Sequence, residues 1–299
     1  MKTRSMILGA ALLAIGTLAQ SPAGAAGSVT VNNATRNGDT LTVTGGSTFA
    51  DQAFQTVATD PTGDPLTPGQ DVLGGDLVKA EMASLGNGGL AVRWTVSQLP
   101  PTLNGSPGFV YGWGVCTDET TCFEIDASRF NTASGSTDAT YGNVWRCATP
   151  DCAPADQTLL TDTVTPVIDG TAKTITMNIP ANILGISGGT SIAGGGPATT
   201  GHVFVGHGDL SLATYFYNNG DGANMEEPFV VARREVSVAV DAPGQDPASL
   251  TYGAAVTPAS NGSFTASVDV AGQSGDRTVY VRACLGAGNC AFGTKDVTL

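Results

Sequence analysis

With 299 residues, 13 basic against 26 acidic side chains and a formal charge of −13, the chain is long enough for two hydrophobic cores. Its field repels phosphate backbones and anionic lipid, so nucleic acid is excluded as an expected partner. Charged residues make up only 13% and glycines number 40, a composition far from that of helical proteins.

Residues 1–26 read as a secretory signal. Lys2 and Arg4 form a short positive start, residues 6–18 an apolar stretch, and Ala23, Gly24 and Ala25 a small-residue cleavage site. The apolar stretch is too short to span a bilayer, and no later segment approaches 18 apolar residues, so no membrane association is expected after signal removal. Removing it leaves 11 basic against 26 acidic residues, a formal charge of −15. A secreted, extracellular chain follows, with calcium, cationic surfaces or neutral polymers left as partners.

After the signal, helix periodicity is nearly absent and period-two alternation recurs between Gly, Asn, Asp and Pro turns. Strands are expected at residues 29–31, 40–43, 90–96, 110–116, 174–179, 203–205, 213–217 and 229–232. In the segment 90–96, Leu90, Val92, Trp94 and Val96 share a face; Ile175, Met177 and Ile179 do the same further on. Near Ala232 the texture changes, and Val236, Val238 and Val240 open a shorter unit that continues through strands at 264–270, 279–284 and 292–299. The fold class expected is all-β: a large antiparallel β-sandwich over residues 27–232, then a small immunoglobulin-like sandwich over 233–299.

Six cysteines fall in three close pairs, Cys116/Cys122, Cys147/Cys152 and Cys284/Cys290. Their even number after a signal peptide argues for disulfides, and their clustering favours the three local pairings among the 15 that six cysteines allow. The first and third pairs look like one device used twice: strand, Cys-closed loop, strand.

Asp60-Pro61-Thr62-Gly63-Asp64 is the most specific polar cluster, followed by Asp71 and by Asp76 at the head of a strand. Calcium takes six to eight oxygen ligands, which carboxylates on irregular backbone supply; the same residues also close turns through Asx hydrogen bonds. The segment resembles the Asp-x-x-Gly-Asp opening of secreted DOMON-like and glucodextranase-type carbohydrate-binding sandwiches, with Gly75-Asp76-Leu77-Val78 as the step into the second strand. The resemblance covers residues 55–100. It implies a β-sandwich with calcium held by Asp60, Asp64, Asp71 and Asp76, and a sugar-facing surface. Residues 233–299 resemble an immunoglobulin- or fibronectin-type module, and Val256 to Phe264 is faintly similar to the neocarzinostatin-type sandwich.

No complete catalytic site is legible. Asn218-Asn219-Gly220-Asp221-Gly222 lacks the register of an EF-hand and reads as a hairpin turn. Gly185-Ile186-Ser187-Gly188-Gly189 matches a nucleophile elbow, but no helix can start after it, and His202, His207 and Asp209 follow out of order. The two histidines are five apart and point to opposite faces of a continuous strand. Glu124, Asp126, Glu226 and Glu227 are the nominees for a carboxylate pair. Glu124 and Asp126 share one strand face, where charges directed to solvent explain them. Aromatic residues are few: Trp113, Trp145, Tyr215 and Tyr217 can form a platform for flat sugar faces, or pack against disulfides in the core. The expectation is a non-catalytic protein that binds an extracellular polysaccharide or cell-envelope component. A secreted glycosidase-like hydrolase, its carboxylates assembled from distant strands, is the alternative.

Overall fold

A computed structural model describes residues 27–63, 76–99, 108–118, 120–131, 138–149, 152, 154–192, 202–208, 218–226 and 228–299. The signal segment and the expected strand at 213–217 lie outside these residues.

The described chain is nearly all strand. In order it runs β1 (Ser28–Asn37), β2 (Thr40–Thr48), β3 (Gln55–Thr59), β4 (Leu77–Ser84), β5 (Leu90–Val96), β6 (Gly108–Cys116), β7 (Cys122–Asn131), β8 (Asp138–Cys147), β9 (Gln157–Thr161) and β10 (Val167–Asp169). Then come β11 (Thr174–Ile179), a one-turn helix α1 (Ala181–Leu184), β12 (Ser191–Ile192), β13 (His202–Gly208), β14 (Asn218–Asn224), β15 (Phe229–Val230), β16 (Arg234–Asp241), β17 (Ser263–Asp269), β18 (Asp276–Leu285) and β19 (Cys290–Thr298). All pairings among them are antiparallel, as an alternating pattern with one polar face favours.

Two large sheets and a two-stranded β12–β15 ribbon make the large module. One has five strands in the order β10-β11-β5-β4-β3, the other six in the order β14-β13-β6-β7-β8-β9. Their apolar faces close on one core that includes Met82, Trp94, Phe109, Tyr111, Trp113, Ile125 and Met177. Trp94 of β5 meets Trp113 of β6 almost edge-on, with ring centroids 6.3 Å apart at 68°, the geometry that the ring quadrupoles prefer. The Trp94 indole N–H donates to the Gly112 carbonyl at 3.3 Å.

The small module differs from expectation in its membership. Strands β16, β18 and β19 form one of its sheets, but the other is β1-β2-β17. Val43 of β2 lies opposite Ala266 of β17, and Leu41 opposite Val268. Leu41 and Val43 share a core with Val236, Val238, Phe264, Val279 and Val281. The unit expected over residues 27–232 is therefore corrected: its first hairpin, residues 28–48, packs with the C-terminal strands. Alternation showed which face of β2 is apolar, but not which distant strand that face would meet. Gly45 fits this arrangement, because a Cβ there would come within 2.6 Å of the Phe264 ring.

The large module is thus inserted between β2 and β16, and the chain crosses twice at a neck. Ser84, at the end of β4, holds both crossings. Its carbonyl accepts from Gln52 N at 2.9 Å, and its hydroxyl accepts from Ala232 N at 2.8 Å.

A second correction concerns residues 218–222, expected as a turn. They lie in β14 and pair with β13, Asn218 opposite His207 and Asp221 opposite Val205, with a register shift at Val205/Gly206. Pairing with a neighbouring strand overrides the local turn preference of Asn-Gly and Asp-Gly.

Candidate functional site

Alternation along β6, β7 and β8 sorts their side chains onto two faces. Tyr111, Trp113, Ile125 and Val144 point into the core. The opposite face of the same strands carries Glu124, Asp126 and Ser128 on β7, and Tyr141, Asn143 and Trp145 on β8. The register sets Glu124 beside Trp145, Asp126 beside Asn143 and Ser128 beside Tyr141. On the other flank, Gly114 and Gly112 of β6 lie opposite Glu124 and Asp126.

Contrary to expectation, Glu124 and Asp126 do not face solvent. They are 7% and 3% exposed. Burial, and then the neighbouring Glu124 charge, push the Asp126 carboxyl well above the usual range, while a hydrogen bond from the Trp145 side chain acts in the opposite direction. Burial also raises Glu124, against hydrogen bonds from Asp126 and Gln157. Two carboxylates in contact away from water cannot both ionise, so Asp126 keeps its proton and donates it to Glu124. Gln157 Nε2 donates to Glu124 Oε2 at 2.7 Å and to the Cys152 carbonyl at 3.1 Å. A continuous polar chain therefore runs from the Cys147–Cys152 loop through Gln157, Glu124 and Asp126 to the indole of Trp145.

The same face also carries open apolar side chains. Tyr141 is 52% exposed and Leu159 44%. Leu159 of β9 pairs with Trp145. Trp145 itself is partly buried.

Trp113 is corrected as a ligand residue. It is fully buried between the two sheets, because it sits one position out of step with the outward glycines Gly112 and Gly114. Tyr215 and Tyr217 lie outside the described residues.

The three expected disulfides are present: Cys116–Cys122, Cys147–Cys152 and Cys284–Cys290. The first and third join the last cross-strand pair of the β6–β7 and β18–β19 hairpins. The first two pack against each other in a buried cluster. Asp118 closes the loop between Cys116 and Cys122, where hydrogen bonds from Thr120 and Thr121 hold its carboxyl below the usual range. The Glu124 carboxylate lies near the sulfurs of Cys147 and Cys152, but sulfurs bonded to each other are not metal ligands.

Of the expected calcium ligands, Asp60 and Asp76 flank the connection between β3 and β4. The Asp60 backbone N–H donates to the Val78 carbonyl at 3.0 Å. Both carboxylate oxygens of Asp76 accept from Gly63 N, at 3.0 and 3.2 Å, a turn-closing role. Asp64 and Asp71 lie outside the described residues.

The remaining nominees fall on separate elements or outside the described residues. Glu226 accepts from the backbone N–H and hydroxyl of Thr59, tying the segment after β14 to β3. Glu227 and Asp209 lie outside the described residues. Ser187 follows α1 and precedes the turn into β12, the reverse of the strand–turn–helix order that an elbow needs. His202 and His207 both lie in β13.

Among the described residues no helix is long and apolar enough to cross a membrane. Comparison with family models, curated proteins and solved structures returns no match for this chain.

Proposed function

We infer that the chain is an exported, non-catalytic binding protein, and that it recognises an extracellular polysaccharide or a similar polyhydroxylated cell-envelope polymer through the outer face of the six-stranded sheet. The observation that carries this reading is the anchoring of Trp145. Its indole N–H is held by a buried carboxyl, so the ring is oriented before any ligand arrives, and preorganised aromatic surface loses little entropy on binding. Tyr141 stands four residues away on the same face of β8, roughly 13 Å along the strand. Two aromatic side chains at that separation suit a linear polymer better than a small molecule. Three disulfides are in keeping with an oxidising compartment.

The raised carboxyl pair favours a second reading, a secreted hydrolase. Glycosidases place their two carboxyls about 5–5.5 Å or 6.5–9.5 Å apart, with sugar or water between them. Glu124 and Asp126 instead touch each other and lie under the surface, which supports the binding role over the catalytic one.

The test is affinity electrophoresis of the mature chain through gels containing neutral and acidic polysaccharides, with Trp145→Ala and Tyr141→Ala alongside. Retardation by at least one polymer, reduced in both variants, is the expected result. Retardation unchanged in both would overturn the assignment of this face. Release of reducing ends, abolished in Asp126→Asn, would replace binding by hydrolysis.

Calcium is carried as part of the proposal for the β3–β4 connection, on the position of Asp60 and Asp76. Titration of calcium into chelator-treated protein tests it, and absence of heat at millimolar calcium removes it.

A further inference from the structure

The neck between the two modules encloses an open cavity of about 590 Å³. Both chain crossings line it, through Gln52 on one side and Arg233 on the other, and so do Glu235, Arg282 and the Cys284–Cys290 hairpin. In a chain with twice as many acids as bases, arginines ordinarily find carboxylates. Among the described residues the ion pairs are Lys79–Glu81 and Arg93–Glu81, and neither arginine of the cavity is in one.

Arg282 lies over the Tyr252 ring, 4.4 Å from its centroid, and its buried Nε has no hydrogen-bond partner. The aromatic face holds the guanidinium in place. Arg233 lies across the turn at Gly189, where φ is +89° and an added Cβ would come within 2.3 Å of the Arg233 Nε. Only glycine allows both that backbone conformation and that close approach. Gln52 is placed in the same manner over Gly286, 2.8 Å from the position of a Cβ there. Two arginines without a carboxylate partner thus border one space, beside the Gln52 amide, whose Nε2 donates to the Leu285 carbonyl at 3.4 Å.

We propose that this cavity is a binding site for a hydroxylated carboxylate, a uronic acid residue of a saccharide, with the carboxylate on Arg233 and Arg282 and the hydroxyls on Glu235 and Gln52. A guanidinium matches a carboxylate with two parallel hydrogen bonds. Glu235 restricts the choice of ligand. Its carboxylate repels a compact polyanion such as sulfate or phosphate and accepts hydrogen bonds only from donors, which sugar hydroxyls supply. The chain's overall negative charge does not forbid such a ligand, because charges more than about 10 Å away are screened at ordinary ionic strength. The site is separate from the sheet face around Trp145, and neither reading depends on the other.

Calorimetric titration of the mature chain with glucuronate, glucose and inorganic sulfate tests the proposal, with a short glucuronate-containing oligosaccharide to separate a free acid from a chain residue. Glucuronate or its oligosaccharide should bind with an affinity on the order of 1 mM or tighter, and glucose and sulfate at least tenfold more weakly. Arg233→Gln should weaken binding by tenfold or more. Arg233 is exposed, so this variant keeps the test valid should Arg282→Gln fail to fold. No heat from either uronate, equal heat from glucose or sulfate, or undiminished binding in Arg233→Gln would each overturn it.

Discussion

The indole N–H of Trp145 donates to the carboxyl of Asp126 on the adjacent strand, and that carboxyl, keeping its proton, donates a hydrogen bond to Glu124. One strand thereby carries an acid that stays neutral because it is buried beside a second acid.

The pH dependence of stability follows. Asp126 is raised in the folded chain, whereas in the unfolded chain it returns to about 4. Below that value both states hold the proton and the burial is harmless. As pH rises from the ordinary carboxyl value to the raised one, only the unfolded state releases its proton, so stability falls across that window. Asp126→Asn keeps the size and planar shape of the side chain while removing the titration. Its melting midpoint should exceed that of the unmodified chain at pH 7 by about 2–4 °C, the response of a domain of this size to 1 kcal/mol, and the gain should vanish near pH 4. Thermal melts at both pH values measure this.

Trp113 and Trp145 should separate core from surface. Trp113→Ala removes a side chain buried between two sheets and should cost about 3–5 kcal/mol in denaturant unfolding. Trp145→Ala should cost much less and should instead reduce polysaccharide retention.

Ser84 is the point at which the two crossings are tied. Ser84→Ala leaves the part-buried Ala232 N–H without its 2.8 Å partner, which should cost about 0.5–1.5 kcal/mol. Ser84→Thr keeps the hydroxyl and should recover part of that loss. Chemical denaturation of the two variants side by side reads the difference.

The three disulfides should not reduce together. Cys116, Cys122, Cys147 and Cys152 are buried as a cluster, whereas Cys284 and Cys290 line the neck cavity and are partly exposed. Under mild thiol, alkylation followed by peptide mass mapping should label Cys284 and Cys290 first. On the chain-entropy estimate a bridge closing so short a loop contributes about 2 kcal/mol, so the small module should remain folded when it opens.

What the sequence made legible was local. Leu90, Val92, Trp94 and Val96 announced both a strand and its buried face, and the Cys116/Cys122 and Cys284/Cys290 spacings announced hairpins that close where expected. The partner of the first hairpin was not legible, because Leu41 and Val43 show an apolar face without showing that it belongs against Phe264 and Ala266. Alternation placed Glu124 and Asp126 on one face, but whether that face is covered is decided by tertiary packing. Trp113 carried the same ambiguity: an aromatic residue in a strand serves a core or a ligand equally well until the facing sheet is known.

The split of the small module sets an order on maturation. During synthesis β1 and β2 emerge long before β17, so the first hairpin made waits, with one edge and one apolar face uncovered, until the last strands arrive. That hairpin is among the first segments made and among the last to be finished. Until β17 pairs with β2, its bare strand edge is where a foreign strand would add.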